Sequence, residues 1–563
     1  EKKGWLEHKH VGNALVDMYV KCGSVVIARQ VFDRLRIKDV VSWSTLISGY
    51  VDDGCHQEAL RYFELMQEQS VFPNAVTFVS ALKSCGNGRI MDQGCELHSQ
   101  IEKMGLRETD LVVGTVLVDM YAKFGWLCEA HQVFEELPNA DTVSWTALIM
   151  GYIEHGDSEK ALMCLQQMQQ IGIPSNSITL VCGLKACGIL KIKGKGLEIH
   201  AAIKRRGLLE KDVLIGNTMV DMYAKCGCLP NACQVFDELL VQDVTTWNCL
   251  IMGYIDHDLS QEALKCYEQM QTKCVIPNTV TFICCLKACG RLGALNKGLQ
   301  VHAVIEKCGL LETDIIIGNT LIDMYVKCAS LMKSQDVFHR LPFRDVVTWN
   351  VLIKAYIEHG LCGEVLKCLK LMELEGVHPD SVTYVYSLKA CGSTADVHNA
   401  QKLHAEINKN ILSENCVSVG SALADIYAKF GLLSELQQVV HELPFQNIAM
   451  WNSLIFRYTE HGYFEQALQC SQQMQLEGVL PNAITLSYSL KACGSIRAIN
   501  KGREIHSEIE RKGLLQTDLV LGNGLVDMYA KCGSLSMAHQ VFDLLPVRDV
   551  ISWTALMEGY AEH

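Results

Sequence analysis

One stretch of the sequence returns at a fixed interval and constrains the fold more than any other feature. VGNALVDMYVKCGS at 11–24 has five near-copies, each beginning 102 residues after the one before it. Tryptophans keep the same step, at Trp43, Trp145, Trp247, Trp349, Trp451 and Trp553. Constant self-similarity is typical of repeat architectures, in which each unit packs on its neighbours. The 563 residues are therefore predicted to form one array, not the roughly four domains that length alone suggests.

Each 102-residue unit divides into three helical pairs of 35, 36 and 31 residues, such as 40–74, 75–110 and 111–141. In the first pair, Leu46, Ile47 and Tyr50 have helical spacing, Gly54 separates two helices and Pro73 ends the pair. Alternating β patterns are almost absent. The prediction is an all-α, right-handed α-solenoid superhelix of stacked helix-turn-helix repeats. First helices would line an inner groove and second helices would form the outer layer.

The bulk composition limits the classes of function. Hydrophobic residues make up 49% of the chain and the net charge is −13, with a pI near 5.8. An acidic chain does not hold nucleic acid by general attraction, although a local basic strip stays compatible with this charge. No stretch approaches the ~18 apolar residues of a membrane span, so neither a membrane nor a small-molecule substrate is predicted as a partner.

The 26 cysteines follow the repeat and do not form metal-ligand patterns. Five share one K-x-C-G slot: Cys85, Cys187, Cys289, Cys391 and Cys493. A second slot holds Cys22, Cys226, Cys328 and Cys532, but Phe124 and Phe430 in the other copies. A residue that exchanges with Phe is a packing residue, so we predict that the thiols are reduced and mostly buried. Because C-x-x-C is absent, we predict no metal or cofactor.

H-x-E at 404–406 and 506–508 matches part of a zinc deaminase motif. The His occupies a repeated slot whose third residue varies, and no P-C-x-x-C follows. This is interpreted as structural repetition, and no catalytic residue is predicted. The chain begins without Met and inside a repeat, so a fragment of a longer protein is expected.

The W-(S/T/N)-x-L-I hairpins, the LKACG hairpins and the GNxLVDMYAKCG hairpins together resemble the pentatricopeptide repeat (PPR) proteins. The alternation of 35, 36 and 31 residues resembles the P, L and S motifs of the plant PLS subclass. The segmentation starts with the end of an L repeat at 1–8 and ends with the start of a P repeat at 550–563. Sixteen repeats fill 9–549: S 9–39, P 40–74, L 75–110, S 111–141, P 142–176, L 177–212, S 213–243, P 244–278, L 279–314, S 315–345, P 346–380, L 381–416, S 417–447, P 448–482, L 483–518 and S 519–549.

The resemblance implies single-stranded RNA as the partner, with one nucleotide per repeat and two side chains selecting the base. Those are the fifth and the last residue of each motif. The pairs are Asn13/Asp39, Ser44/Asn74, Thr115/Asp141, Thr146/Asn176, Asn217/Asp243, Asn248/Asn278, Asn319/Asp345, Asn350/Asp380, Ser421/Asn447, Asn452/Asn482 and Asn523/Asp549.

The same resemblance assigns U to Asn-Asp, A to Ser/Thr-Asn, G to Thr-Asp and a pyrimidine to Asn-Asn. The L motifs carry Val79, Val181, Ile283, Val385 and Ser487 at the fifth position, and their nucleotides stay open. The predicted ligand is 5′-UAnGAnUYnUUnAYnU-3′, with the protein N-terminus at the RNA 5′ side.

Helix N-capping is the competing explanation for the fifth residue. In P and L hairpins the third residue is expected to supply the cap: Ser42, Ser144, Thr246, Thr348 and Ser552, and Thr77, Thr179, Thr281, Thr383 and Thr485. In S hairpins the third residue is aliphatic, so capping by the fifth residue stays open there.

Two further sets of residues have a functional and a structural interpretation. The S-motif lysines are predicted phosphate contacts, or members of i,i+4 ion pairs with Asp: Lys21, Lys123, Lys225, Lys327, Lys429 and Lys531. The L-motif lysines, such as Lys83, could stack on an S-motif Asp, such as Asp119. Second-position aliphatics are predicted either to sandwich bases or to belong to the core: Val41, Val112, Val143, Leu214, Ile316, Val347 and Val520.

By resemblance, the function is specification of a C-to-U editing site in an organellar transcript, in a mitochondrion or chloroplast. A deaminase domain or editing cofactor proteins would then be partners. Two alternatives stay open. One is RNA stabilisation, splicing or processing, and the other is a peptide-binding helical scaffold of the kind that tetratricopeptide arrays form.

Overall fold

The computed structural model describes residues 9–209, 211–410, 417–442 and 448–563. Throughout these ranges the regular structure is helical and contains no strand, which confirms the all-α solenoid prediction. The helices follow one another in pairs, a first helix and a second helix joined by a tight turn. The predicted partial repeat at 1–8 and Asn447 lie outside the described residues.

The pairs follow the predicted segments. The S pairs are α1 (Lys9–Lys21) with α2 (Val25–Asp33), α8 (Leu111–Phe124) with α9 (Leu127–Glu135), α14 (Val213–Lys225) with α15 (Leu229–Glu238), α21 (Ile315–Lys327) with α22 (Leu331–Arg340), α27 (Val417–Phe430) with α28 (Leu433–Glu442), and α33 (Leu519–Lys531) with α34 (Leu535–Leu544). The P pairs are α3 (Val40–Asp52) with α4 (His56–Glu68), α10 (Thr142–Glu154) with α11 (Ser158–Gln170), α16 (Val244–Asp256) with α17 (Ser260–Thr272), α23 (Val346–Glu358) with α24 (Cys362–Leu374), and α29 (Ile448–Glu460) with α30 (Phe464–Leu476); α35 (Val550–Glu562) follows the last S pair.

The L pairs are α5 (Ala75–Gly88) with α6 (Met91–Lys103), α12 (Ser177–Leu190) with α13 (Lys193–Arg205), α18 (Thr279–Leu292) with α19 (Leu295–Lys307), α25 (Ser381–Thr394) with α26 (Val397–Asn410), and α31 (Ala483–Ser495) with α32 (Ile499–Arg511). Short helical turns follow three of them: α7 (Leu106–Thr109), α20 (Leu310–Thr313) and a 3-10 turn at Leu514–Gln516. The helices agree with the predicted order, while the motif boundaries themselves stay a prediction.

The chain divides into two compact units, Glu1–Ala288 and Cys289–His563. In the first unit, each first helix packs against its own second helix and the next first helix, as α8 does with α9 and α10. In the second unit, α27 packs in the same way against α28 and α29. Within each unit the first helices therefore form a row, and equivalent positions recur at regular intervals along it.

Five of the six periodic tryptophans belong to the core of this packing, whereas Trp553 is 50% exposed. Trp247 is 1% exposed, and its ring meets Phe236 of the preceding S second helix edge-on, with ring centroids 4.6 Å apart. The same contact joins Trp43 to Phe32, Trp145 to Phe134, Trp349 to Phe338 and Trp553 to Phe542, at 4.6–4.7 Å. Edge-to-face geometry adds stabilisation beyond area burial, so the S-to-P junctions at these five tryptophans share one aromatic contact. At the Trp451 junction, Val440 occupies the phenylalanine position.

The predicted packing roles of cysteine and histidine agree with the structure. No disulfide joins the described cysteines, and the five in the K-x-C-G slot are buried; burial raises the pKa of Cys85 to about 12. His404 and His506 make the hydrogen bond from Nδ1 to a tyrosine hydroxyl that the other repeats also make. In the described ranges no three metal-ligating side chains cluster, and no helix has the length and apolarity to cross a membrane.

Candidate nucleic-acid interface

In each segment whose last residue the structure describes, that residue is the N-cap of the next first helix. Asp243 has extended backbone, and its Oδ1 accepts a hydrogen bond from the backbone N–H of Thr246 at 2.8 Å. Asn278 accepts in the same way from the N–H of Thr281 at 3.1 Å. Asp and Asn are preferred at this position because their side-chain oxygens satisfy a helix donor that has no intrahelical partner. The capping bond therefore fixes the last residue at the N-terminus of the next first helix.

The prediction that the third residue caps P and L helices is wrong. Ser144 is the third residue inside α10, and its hydroxyl accepts from the backbone N–H of Asp141 at 2.9 Å, which completes a capping box. In S helices the cap is again an aspartate, Asp110, Asp212, Asp314 or Asp518. The alternative in which the fifth S residue is an N-cap is therefore also wrong. The helix starts one residue beyond its cap, and that cap belongs to the preceding segment.

The structure brings the predicted fifth and last residues together. The amide Nδ2 of Asn217 donates to Asp243 Oδ1 at 3.2 Å, although the two residues are 26 apart in sequence. Equivalent bonds join Asn13 to Asp39, Asn248 to Asn278, Asn319 to Asp345, Asn350 to Asp380, Asn452 to Asn482 and Asn523 to Asp549, at 2.9–3.5 Å. Each bond links one repeat to the cap of the next.

The Ser and Thr pairs are arranged differently. Asn176 Nδ2 donates to Thr146 Oγ1 at 3.2 Å. Ser44 reaches Asn74 only through Thr77, whose hydroxyl lies 2.8 Å from each. Thr115 and Asp141, which both lie in the described range 9–209, make no hydrogen bond with each other. The Ser421/Asn447 pair falls partly outside the described residues.

The fifth side chains are more enclosed than the sequence predicts. Eight of them are 6–9% exposed: Ser44, Thr115, Thr146, Asn217, Asn248, Asn350, Asn452 and Asn523. The Asn248 Oδ1 accepts from the hydroxyl of Thr281, on the next first helix, at 2.7 Å. Because neighbouring first helices approach closely, a polar side chain between them bonds to the next repeat. The last residues, in contrast, are half-buried or exposed.

Hydrogen bonds hold the carboxylates of two aspartate caps, Asp39 and Asp243, in the ionised state. Burial alone would raise the pKa of Asp39, but hydrogen bonds from Lys9, Ser42 and Asn13 outweigh it and lower that pKa to about 2. For Asp243, burial also opposes ionisation, and bonds from the Thr246 backbone, the Thr246 hydroxyl and Asn217 lower the pKa. An ionised carboxylate only accepts hydrogen bonds. These caps therefore present acceptors near neutral pH.

The asparagine caps present a donor. In Asn278, Oδ1 already accepts from the Thr281 N–H and from Asn248 Nδ2. Its own Nδ2 has no partner among the residues that the structure describes, and Asn278 is exposed. Capping thus orients the amide, since only its oxygen can accept the backbone N–H, and leaves the NH₂ group directed away from the helix.

Second-position aliphatics lie on the surface, so the alternative that places them in the core is wrong. The seven named residues are 50–66% exposed. The L helices contribute equivalents at 43–58% exposure: Val76, Ile178, Val280, Val382 and Ile484. An exposed aliphatic side chain therefore precedes most of the P, L and S fifth residues by three positions. His10 before Asn13 and Thr245 before Asn248 are exceptions.

Each S-motif lysine makes an i,i+4 ion pair with its own aspartate. The Nζ–Oδ2 distances are 2.7–3.2 Å for Lys21, Lys123, Lys225, Lys327, Lys429 and Lys531. The Lys225 stem packs over Gly188 of the preceding L helix, where an added Cβ would lie 3.4 Å from Lys225 Cδ. Asp119 pairs with Lys123, and no ion pair joins it to Lys83 in the described structure. The predicted Lys83–Asp119 contact is thus not formed.

The fifth residues of L helices offer no polar edge at most positions. Val181 is 5% exposed, and Val79, Ile283 and Val385 are half-buried. Ser487 is the single polar residue predicted in this slot.

Comparison with known sequences identifies the family. The chain matches the PPR repeat family at residues 38–87, 140–188, 242–291 and 344–393, and the PPR repeat at 13–40, 217–244, 449–479 and 523–550. The chain belongs to the pentatricopeptide repeat family. Pentatricopeptide repeat-containing protein At4g18520, chloroplastic, from Arabidopsis thaliana is 33% identical over 488 residues, which are 86% of this chain and 78% of that PPR protein.

Other Arabidopsis thaliana PPR proteins match nearly the whole chain. Pentatricopeptide repeat-containing protein At4g39530 is 32% identical over 98% of the chain, which spans 66% of that relative. Pentatricopeptide repeat-containing protein At3g09040, mitochondrial, is 31% identical over 98% of the chain, which spans 50% of its length. This PPR chain thus spans between half and two thirds of the length of these two relatives.

Solved PPR structures share the fold. The crystal structure of PPR10 from maize aligns with a TM-score of 0.62 at 19% identity, over 98% of this chain and 81% of that one. PPR10 in complex with an 18-nt psaJ RNA element aligns with a TM-score of 0.54 at 18% identity, over 97% and 82%.

Sequence reasoning named the paired residues but missed their bonds to each other and the capping role of the last residue. The signal was present, because Asp or Asn followed three residues later by Ser or Thr precedes most P and L helices.

Proposed function

We propose that this PPR chain binds single-stranded RNA sequence-specifically, one nucleotide per repeat, through its fifth and last residues. The observation that supports the proposal most is the recurring constellation on the row of first helices. It consists of a capping Asp or Asn, a fifth residue bonded to it, and an exposed aliphatic residue at the second position. The PLS alternation and the segment boundaries belong to this proposal.

Base selection follows from the two kinds of cap. An ionised Asp accepts, so it suits U and G, whose ring N–H groups donate. A capping Asn offers its NH₂ group, so it suits A and C, whose ring nitrogens accept. The fifth residue orients the capping side chain by hydrogen bonding to it, and the small exposed part of the fifth side chain can also contact the base. This division supports the assignment of U to Asn217/Asp243 and of a pyrimidine to Asn248/Asn278.

The exposed aliphatic residues would stack on the faces of the bases and fix their orientation. Leu214 and Val41 are 56% and 52% exposed, and water-exposed apolar surface is favourably covered by a base face. Since the L helices carry the same feature, stacking would continue through nucleotides that are not selected.

The target proposed for the chain is 5′-UAnGAnUYnUUnAYnU-3′, and the proposed role is to specify a C-to-U editing site in a mitochondrial or chloroplast transcript. Several relatives are named chloroplastic or mitochondrial, which supports an organelle. The partners would be RNA and a deaminase domain or editing cofactor proteins. No catalytic step is assigned to this chain. RNA stabilisation, splicing or processing would use the same interface, whereas a peptide scaffold has no observation in its favour.

The test is binding of the 16-nucleotide target against a shuffled strand of equal composition, by fluorescence anisotropy at one fixed salt concentration. Matching RNA should bind at least tenfold more tightly, because each mismatch at a selected position costs about 1–3 kcal/mol by analogy with DNA sites. Equal affinity for the two strands would remove the proposal. A DNA strand of the same sequence controls for selection by the sugar.

A further inference from the structure

The lysines at the ninth position of the L helices have no ion-pair partner. They are Lys83, Lys185, Lys287, Lys389 and Lys491, and all five are exposed. None is within ion-pair distance of a carboxylate in the part of the chain that the structure describes. The six S-motif lysines differ, because each has its charge balanced by an aspartate of its own helix. The first helices thus present two sets of lysines: the S-motif lysines, whose charge is balanced by an aspartate, and the L-motif lysines, whose charge is not.

The unpaired lysines lie on the same face as the exposed aliphatic residues. Lys185 follows Ile178 by seven residues, which at ~3.6 residues per turn places it within about 20° of the same direction and about 10 Å further along the helix. Ile178 is 49% exposed. A strand whose bases contact the second positions would therefore pass its backbone near the ninth positions.

The surrounding charges leave these lysines available. Lys185 lies between α10, which ends at Glu154, and α14, which carries Asp221. Burial raises the pKa of the Cys182 thiol, while the charge of Lys185 lowers that pKa and the charge of Glu154 raises it. No salt bridge joins Lys185 to Glu154, both of which the structure describes. Asp221 is bound to Lys225 at 2.8 Å. An acidic ligand that approaches Lys185 does not have to break an existing ion pair.

The same helices lack base-selecting residues. The fifth residue of α12 is Val181, which is 5% exposed and cannot accept or donate a side-chain hydrogen bond. Four of the five L repeats therefore combine an exposed stacking residue, an available cation and an aliphatic fifth side chain, and only the repeat with Ser487 has a polar one. This combination fits the sugar-phosphate backbone and not a base edge.

We propose that the five L-motif lysines, and not the S-motif lysines, are the principal phosphate ligands of the groove. In this assignment, P and S repeats select bases, while each L repeat anchors the backbone once per three nucleotides. The inference rests on the proposed RNA binding, and it replaces the sequence-based prediction that S-motif lysines contact phosphate.

The experiment compares two matched triple variants of the full chain. One carries Lys185→Gln, Lys287→Gln and Lys389→Gln; the other carries Lys225→Gln, Lys327→Gln and Lys429→Gln. The dissociation constant for the 16-nucleotide target is measured from 50 to 200 mM salt. Because each phosphate contact with a single strand adds about 0.7 to the slope of log affinity against log salt, the L variant should lose about two units of slope. The parent chain should then lose about 20-fold more affinity than the L variant across this range.

The S variant should keep most of its slope, and both variants should keep the preference for target over shuffled RNA. An unchanged slope in the L variant would overturn the inference, as would an equal loss in both variants. A Lys→Arg triple at the L positions keeps the charge and should restore the slope, which separates charge from folding. If the parent chain binds RNA with no sequence preference, the proposed function fails; the slope comparison then still decides whether these lysines contact phosphate. If the parent does not bind RNA, both fail.

Discussion

Replacing Asn217 by Thr should change the base preferred at nucleotide seven from U toward G. In the structure, Asn217 Nδ2 donates to both oxygens of Asp243, at 3.2 and 3.4 Å, while its Oδ1 accepts from Thr246. Threonine is too short to make this bridge. At the natural Thr115/Asp141 pair no such bond forms, and the Asp141 carboxylate bonds only to groups of its own helix.

The expected magnitude follows from the bonds that change. Without the amide, Asp243 keeps its capping bond to the Thr246 N–H at 2.8 Å but loses the two contacts from Asn217 Nδ2, which frees acceptor capacity on the carboxylate. Guanine offers two adjacent donors to such a carboxylate, whereas uracil offers one. One additional hydrogen bond to a charged group contributes about 1.5–3 kcal/mol, so preference for G over U should rise by roughly 10- to 100-fold.

The assay is anisotropy with two RNAs that differ only at nucleotide seven. The reciprocal variant, Thr115→Asn, serves as the matched control and should shift nucleotide four from G toward U by a similar factor. Asn217→Thr should also lower the free energy of unfolding by about 1 kcal/mol, since it removes a buried hydrogen bond. An unchanged preference at nucleotide seven, with the chain folded, would refute the account of how fifth and last residues cooperate.

Three further predictions concern stacking, packing and pH. Leu214→Ser should weaken binding of matched and shuffled RNA alike by about 1 kcal/mol, if a base covers some 40 Å² of apolar surface; a change confined to one base would contradict the stacking role. Gly253→Ala should lower the free energy of unfolding by about 1–3 kcal/mol from overpacking, because the new Cβ would lie 2.5 Å from Ala224 Cβ. The matched control is Gly194→Ala, whose Cβ meets nothing within 4 Å, and equal chemical denaturation of the two variants would contradict this. The folded chain should also lose stability as pH falls below 6.5. Burial lowers the pKa of His98, His200, His302 and His506 from 6.5, so the unfolded chain binds more protons there; a melting temperature that is constant from pH 7.5 to 5.5 would contradict the sign.

The repeat period predicted the helical architecture because periodicity records which residues face a neighbour. Trp247 and Gly216 illustrate this relation. Each recurs at 102-residue intervals, and each makes the same contact in other copies: the tryptophan with a phenylalanine, and the glycine with a leucine side chain such as Leu239, which an added Cβ would approach to 2.5 Å. Identical sequence units pack identically, so one unit explains the others.

Hydrogen-bond partners were harder to predict, since they depend on where a helix begins relative to its segment. The third-residue cap was a reasonable inference from composition, but Asp141 lies before the helix and Ser144 lies within it. The helix begins three residues earlier than a third-residue cap would require. This difference decides which side chain caps the helix and which side chain is buried between repeats. Likewise, whether a lysine is paired cannot be read from its spacing alone, as the contrast between Lys225 and Lys185 shows.

The most direct test of the central claim is selection from a pool of random 16-nucleotide RNAs by the full chain, followed by sequencing of the bound fraction. The account predicts enrichment of UAnGAnUYnUUnAYnU, with strong preferences at nucleotides paired with P and S repeats. It predicts no preference at nucleotides paired with the four L repeats whose fifth residue is aliphatic, such as 177–212. A bound pool without positional preference, or one whose strongest preferences fall at the L nucleotides, would contradict it.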